Sequence, residues 1–127
     1  MSTLQEIQEF YLKRHNTRVI EAKNGYAKLV MSVEENALNI YGIVHGGELF
    51  TLADNAGGIA GFSNGHEGLV TLSANINYLN AAKCKECIAI AQEVNSTRKT
   101  GVYDVCIYNE EELLLCKATF TYYYKKP

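Results

Sequence analysis

The sequence predicts an α+β fold in which a long antiparallel sheet is covered by one central helix, with a short helix at the N-terminus. Three observations carry this. From Gly47 to about Gly61, Leu49, Leu52, Ala53, Ala56, Ile59 and Ala60 form one apolar stripe at helical spacing. Further on the period is two: Val70, Leu72, Ala74, Ile76 and Tyr78 alternate with Thr71, Ser73, Asn75 and Asn77, as in a sheet with one buried face. The single proline is Pro127, so no earlier residue lacks a backbone N–H and long unbroken strands are permitted.

In chain order, Ser2 with Gln5, or Thr3 with Glu6, can form a capping box. Leu4, Ile7, Phe10 and Tyr11 then recur at helical spacing, which predicts a helix to about Arg14. Arg18 to Lys23 and Tyr26 to Val33 flank Asn24-Gly25, a dipeptide that tolerates positive φ at both turn positions, and read as a β-hairpin. Beyond the central helix, strands are predicted at Val70 to Tyr78, Cys87 to Val94, Val102 to Tyr108 and Leu113 to Tyr124. Leu114, Cys116, Ala118, Phe120 and Tyr122 mark the inner face of the last one. Tyr122-Tyr123-Tyr124-Lys125-Lys126 reads as the end of that strand with a solvated tail. Consecutive strands of this kind can pair antiparallel through short connections. One helix leaves part of such a sheet uncovered, which predicts that the chain dimerises.

At 127 residues the chain is one domain, 1–127. Hydrophobic residues at 47% and charged ones at 20% exclude a disordered or low-complexity protein. Twelve Lys and Arg against fourteen Asp and Glu give a charge of −2, and no basic stripe is interleaved with aromatics, so nucleic-acid binding is not expected. The segment MSTLQEIQEFYLKRH has no basic region followed by an apolar one, and no stretch approaches the ~20 apolar residues of a membrane span. Neither secretion nor membrane insertion is expected. Cys84, Cys87, Cys106 and Cys116 are then free thiols in a reducing cytoplasm. Cys84-Lys-Glu-Cys87 has no second pair to complete a zinc ribbon and leads into a strand rather than a helix, so no metal site is expected.

The chemistry concentrates on the central helix. On a helical wheel Leu52, Ala56 and Ile59 fall opposite Asp54, while Gly47, Phe50, Gly57, Gly58 and Gly61 fall beside it. A phenylalanine next to the acid has no reason to face water, and each mid-helix glycine costs about 1 kcal/mol relative to alanine unless something must approach closely. This face is therefore expected to meet a ligand or another subunit. At the helix start, His45-Gly46-Gly47 brings unpaired N–H groups and the positive end of the helix dipole within reach of an anionic or carbonyl oxygen. A tight turn explains a glycine pair equally well. From Gly46 to Asp54 is eight residues, or about 12 Å of helix. One helix cannot bring both groups onto one reacting carbon, whereas two antiparallel helices from two subunits can, so a catalytic reading requires a dimer with sites at its interface.

Asn39-Ile-Tyr-Gly-Ile-Val-His45-Gly46-Gly47 followed by Leu49-Phe50-Thr51-Leu52-Ala53-Asp54 resembles the signature of hotdog-fold acyl-CoA thioesterases of the PaaI (phenylacetate-degradation) type. The likeness extends from about Tyr26 to Tyr124. It implies a hotdog fold, with an antiparallel sheet wrapped around a long central helix and two subunits joined edge to edge. It also implies that Asp54 attacks the thioester carbonyl or activates water toward it, and that the Gly46 N–H of the partner subunit polarises that carbonyl. His45, neutral because a positive charge is unfavourable at a helix N-terminus, would help position the thioester. Asn39 would orient the carbonyl or the water, and Gly47 and Phe50 would face the substrate. Thr71 aligns with a position that carries a hydroxyl near the acid in some members, although strict alternation turns Thr71 away from the helix unless a bulge intervenes.

The implied substrate is a coenzyme A thioester, and Lys83, Lys85, Arg98 and Lys99 lie at strand ends where they could meet its phosphates. No cofactor is implied, since coenzyme A is part of the substrate. The implied partner is a second copy, as a homodimer or a pair of dimers. Two further readings share the pocket. A non-catalytic acyl-CoA sensor would bind without releasing thiol. A hotdog dehydratase would use a histidine-centred site, which the Asp54 spacing disfavours.

Overall fold

The computed structural model describes residues 3–126. Six strands, β1 (Thr17–Lys23), β2 (Tyr26–Ser32), β3 (Glu67–Tyr78), β4 (Glu86–Ser96), β5 (Thr100–Asn109) and β6 (Leu114–Lys126), form one sheet around the helix α2 (Gly46–Ser63). Every pairing is antiparallel, in the order β1-β2-β4-β5-β6-β3. The predicted stripe of α2 is its buried face: Leu49, Leu52, Ala53, Ala56, Ile59 and Ala60 join Leu29, Met31, Ala89, Ala91, Val105, Ile107 and Phe120 in a single core. Ala89 and Ala91 are fully buried, and their small side chains let the helix sit close to the middle of the sheet.

The Thr3 capping box forms, with Glu6 N–H donating to Thr3 Oγ1 at 3.1 Å and Thr3 N–H to Glu6 Oε1 at 3.0 Å; the Ser2 alternative lies outside the described residues. The helix it starts differs from the expectation. Only α1 (Leu4–Ile7) is α-helical, followed by a π turn over Gln8–Leu12 and a 3-10 turn over Lys13–His15. The wider turn rotates the chain so that Leu12 enters the core while Phe10 and Tyr11 stay exposed. The hairpin is as predicted, with Asn24 at φ 52° and Gly25 at φ 84° between β1 and β2.

Two further expectations are corrected. Consecutive pairing fails at β3, because β2 occupies the edge of β4 that β3 would need, and β3 takes the free edge of β6 instead. The chain between β3 and β4 crosses the end of the sheet, held by Leu79 N–H donating to Leu115 O at 2.8 Å and Val44 N–H to Ala82 O at 2.9 Å. The alternation within β3 is also broken. Thr71 faces Tyr122 and Ser73 faces Thr121, so Leu72 is an extra residue in a bulge. Before it Leu69 and Thr71 share a face with buried Tyr124 and Tyr122; after it Ala74, Ile76 and Tyr78 share that face, as predicted. Val70 and Leu72, expected inside, are 44% and 59% exposed.

The inner face of β6 runs further than expected: Tyr122 is buried as predicted, Tyr124 in the predicted tail is buried too, and Tyr123 and Lys125 are exposed. Gly101, opposite Ser96 on β4, makes room for the Tyr124 phenol, which any Cβ at that position would strike. Gly101→Ala is therefore expected to destabilise the fold by about 1–3 kcal/mol through overpacking, read as a lower urea midpoint at unchanged m-value.

Candidate active site

Asp54 sits at the middle of α2 on the wall of a cavity of about 560 Å³, which is bounded by α1, α2 and the start of β3. Two hydroxyls fix its side chain. Thr71 Oγ1 donates to Asp54 Oδ1 at 3.0 Å, and Tyr122 Oη lies 3.0 Å from the same oxygen and 2.9 Å from the Asp54 main-chain oxygen. The Leu72 bulge is what turns Thr71 toward the acid. Oδ2 has no hydrogen-bond partner among the described residues. One carboxylate oxygen is thus held in place and the other left open on the cavity, whose apolar wall is made by Ile7, Leu12, Ile59, Phe62 and Leu69. Burial first, and then the neighbouring carboxylate, push the Tyr122 phenol far above the ordinary range, so it stays a donor.

The start of α2 opens on a different cleft, of about 280 Å³, lined by Asn39, Gly46 and Tyr78 among others. His45 is the N-cap: its Nδ1 accepts from Gly47 N–H at 2.9 Å, which leaves the ring proton on Nε2 and takes Gly47 N–H out of use. Gly46 N–H has no acceptor among the described residues, so it is the free donor at the positive end of the helix. Tyr78 Oη donates to Gly46 O at 2.8 Å and holds this turn against β3. Asn39 behaves as a turn residue as well as lining the cleft. Its Oδ1 accepts from Tyr41 N–H at 2.9 Å and Ile43 N–H at 3.4 Å, which leaves the Nδ2 group unengaged.

The residues named from sequence therefore fall into two sets in one chain, Asp54 with Thr71 on one cavity and Gly46 with Asn39 on another. Phe50 belongs to neither; it packs on Phe120 with ring centroids 5.4 Å apart, which is why it sits beside the acid without facing water. The glycines beside Asp54 divide as well. A Cβ at Gly57 would strike Tyr122 and one at Gly61 would strike Leu69 and Tyr103, so what approaches closely is the chain's own sheet, and only Gly58 opens on the cavity. Lys83 and Lys85 precede β4 while Arg98 and Lys99 follow it, so the four cations form two pairs separated by an 11-residue strand, about 36 Å, rather than one cluster. Cys84 and Cys87 bring their sulfurs to 3.7 Å, and burial pushes both thiols up, away from reactive thiolate.

The model of the thioesterase superfamily matches residues 41–116, which include the whole of α2, Asp54, Thr71 and the Gly46 turn. The chain belongs to the thioesterase superfamily. As a thioesterase it has the hotdog architecture described above, and it is a thioester hydrolase. It is 33% identical over 95 residues to the acyl-coenzyme A thioesterase PaaI of Escherichia coli, covering 74% of this chain and 67% of that one. A hypothetical thioesterase of Streptococcus pneumoniae, solved with coenzyme A, superposes with TM-score 0.81 at 38% identity over 85% of this chain and 84% of the other. The smu.793 protein of Streptococcus mutans, bound to acetyl CoA, does so with TM-score 0.84 at 33% identity over 96% and 95%.

This thioesterase also carries a polar cluster beside the cavity that the sequence did not signal. His66, on the cavity wall, stacks on Tyr124 with ring centroids 3.9 Å apart, and its Nε2 lies 3.6 Å from Glu93 Oε1. Tyr103 Oη donates to Glu93 Oε1 at 2.7 Å and lies 2.8 Å from Tyr124 Oη, while Asn64 Nδ2 donates to both Glu93 oxygens. Burial raises the Glu93 carboxyl, but donors from Tyr103, Asn64 and Ser96, with His66 nearby, outweigh it and hold the group below its ordinary value of 4.5. A carboxyl with a lowered folded-state pKa stabilises the fold above the unfolded value and loses that contribution as pH falls through the folded one. Glu93→Gln is thus expected to flatten the decline in thermal midpoint below pH about 4.5, measured by unfolding curves at a series of pH values.

Proposed function

We propose that this thioesterase hydrolyses acyl-CoA to the free acid and coenzyme A at sites shared between two copies of the chain. One observation carries the reading. The open oxygen of Asp54 and the unpaired Gly46 N–H lie on separate cavities of one chain, about 12 Å apart along α2, and each needs what the other supplies. In a homodimer with antiparallel α2 helices, Asp54 meets Gly46 of the partner subunit across the thioester. The names of the E. coli relative and the two streptococcal structures support acyl-CoA as the substrate class.

Asp54 Oδ2 then faces the acyl carbon, either attacking it directly or drawing the proton from a water that does. Negative charge develops on the carbonyl oxygen, and the partner's Gly46 N–H, backed by the helix dipole, stabilises it there; one such donor is worth about 3 kcal/mol of barrier. The free Nδ2 of Asn39 and the Nε2–H of His45 are donors at the same end and orient the carbonyl or the water. The coenzyme A thiolate leaves, and on the direct route a water then cleaves the acyl–Asp54 anhydride to release the free acid and restore the carboxylate. The two cation pairs fit the same arrangement, Lys83 and Lys85 flanking the Gly46 half and Arg98 and Lys99 the Asp54 half, so that a dimer joins them around the phosphates. The reaction uses no cofactor beyond the coenzyme A that the substrate brings, and a reducing cytoplasm suits the free thiols.

Asp54→Asn is expected to lower thiol release from acyl-CoA by about 10²–10⁴-fold, with unchanged turnover sinking the reading. Gly46→Pro removes the donor at a position that suits proline, because His45 at φ −61° and ψ 137° already has the backbone that precedes one and the position is the first of the helix; the Tyr78 ring, 3.3 Å from a Cβ there, has to give by a few tenths of an ångström. Each variant by itself is expected to be impaired at both sites of its dimer. Unfolded and refolded together, they are expected to regain about a quarter of the wild-type rate, since half of the dimers are mixed and each of these has one intact site. No recovery would exclude sites shared between subunits.

A further inference from the structure

The Tyr122 phenol has one proton and two acceptors, both on Asp54: the side-chain Oδ1 at 3.0 Å and the main-chain oxygen at 2.9 Å. The ring cannot move to choose between them. It is 2% exposed, stacked near-parallel on Phe120 and edge-on to Tyr103 with centroids 5.5 Å apart. It is seated against α2 at Gly57, the position where a side chain would strike it. Only the hydroxyl proton can turn. A charged carboxylate is the stronger acceptor, whereas an Asp54 that has lost its charge, by bonding to an acyl group or by taking up a proton, competes less well with a helix carbonyl.

We infer that Tyr122 is a positioning residue for the hydrolysis, donating to Asp54 Oδ1 while the carboxylate is charged and to the Asp54 main-chain oxygen once that charge is spent. The role rests on the catalytic reading of Asp54. With Thr71 on the same oxygen, the phenol keeps Oδ1 out of the reaction and presents Oδ2 to the cavity. Turning the proton to the main chain leaves no buried donor unpaired at the stage when Oδ1 is a poor acceptor, and turning it back favours return of the carboxylate. Gly57 follows from the same arrangement, since it is the vacancy that admits the phenol to the helix. The other titratable side chains on the cavity are Tyr11, His66 and Glu67; Lys and Arg are absent from its described lining. Tyr122 and Thr71 are thus the groups that hold the charge in place.

The test is Tyr122→Phe, which keeps the ring and its stacking. In acyl-CoA hydrolysis kcat is expected to fall about 10-fold or more, with KM changed less than about 3-fold, as for loss of a hydrogen bond to a charged group. The acidic limb of kcat/KM is expected to move to higher pH, because a carboxylate that has lost one of its two donors holds its proton more tightly. A direct readout needs no substrate. The chain has two aspartates, Asp54 and Asp104, so protein labelled with carbon-13 at the aspartate carboxyl gives two titration curves; Asp104, held by Thr119 at 3.0 Å, serves as the internal reference. The Asp54 curve is expected at higher pH in Tyr122→Phe, and also in Gly57→Ala, which retains the phenol but displaces it. An Asp54 curve unmoved in Tyr122→Phe, or an unchanged kcat and pH profile, overturns the assignment. A wild-type protein that releases no thiol from any acyl-CoA would instead overturn the catalytic reading on which the role rests, while the titration separately decides whether the phenol holds the carboxylate.

Discussion

The close approach of the sheet to the glycine face of α2 governs the rest of the structure. Gly57 and Gly61 leave no side chain between the helix and Tyr122, Tyr103 and Leu69, so three residues from two neighbouring strands and the sheet's edge strand come up against helix backbone. The alanines on β4 do the same from the other side. A helix seated this deeply has its polar groups within reach of strand hydroxyls, which is how a single acid comes to be held from β3 and β6 at once. With a larger residue at Gly57, the phenol would be displaced and the carboxylate held by Thr71 alone.

Two bulges complete the arrangement. Leu72 in β3 shifts the pleat by one residue and brings Thr71 to Asp54 without disturbing Ala74, Ile76 and Tyr78. Val94 in β4 does the equivalent for Ser96, which then faces Tyr124 in the cluster around Glu93. In each case the extra residue is an apolar side chain left in solvent, 59% exposed for Leu72 and 58% for Val94. The fold accepts an exposed hydrophobic at each bulge in exchange for a polar group turned inward.

This explains which parts of the molecule were legible in the sequence. The stripe of α2, the Asn-Gly hairpin and the alternation of β6 are local patterns, and local patterns survive into the fold. The acid, the glycine pair and the distance between them were equally readable, because a helix rises by a fixed distance per residue. The order of strands was not, since the choice of β3 between the edges of β4 and β6 depends on which edge is already taken. A bulge leaves no mark in the alternation of Val70, Leu72 and Ala74, which reads as one regular face, so Thr71 had to be seen in place. Tyr124 was hidden for a related reason: the alternation of β6 puts Tyr122 on the inner face, but a third tyrosine followed by lysines looks like a strand end in water, and only the vacancy opposite at Gly101 reveals that Tyr124 is core as well.

The glycines of α2 have a bearing on how the molecule is made. Three of them lie within the helix at about 1 kcal/mol each relative to alanine, so the segment does not hold its shape as a free peptide. The sheet that must form around it pairs β3 with β6, residues 38 to 59 positions apart, and contacts of that kind are the slowest to find one another. The helix bearing the acid therefore owes its stability to the sheet packed around it rather than to its own sequence, and whatever loosens the β3–β6 ladder loosens the chemistry with it.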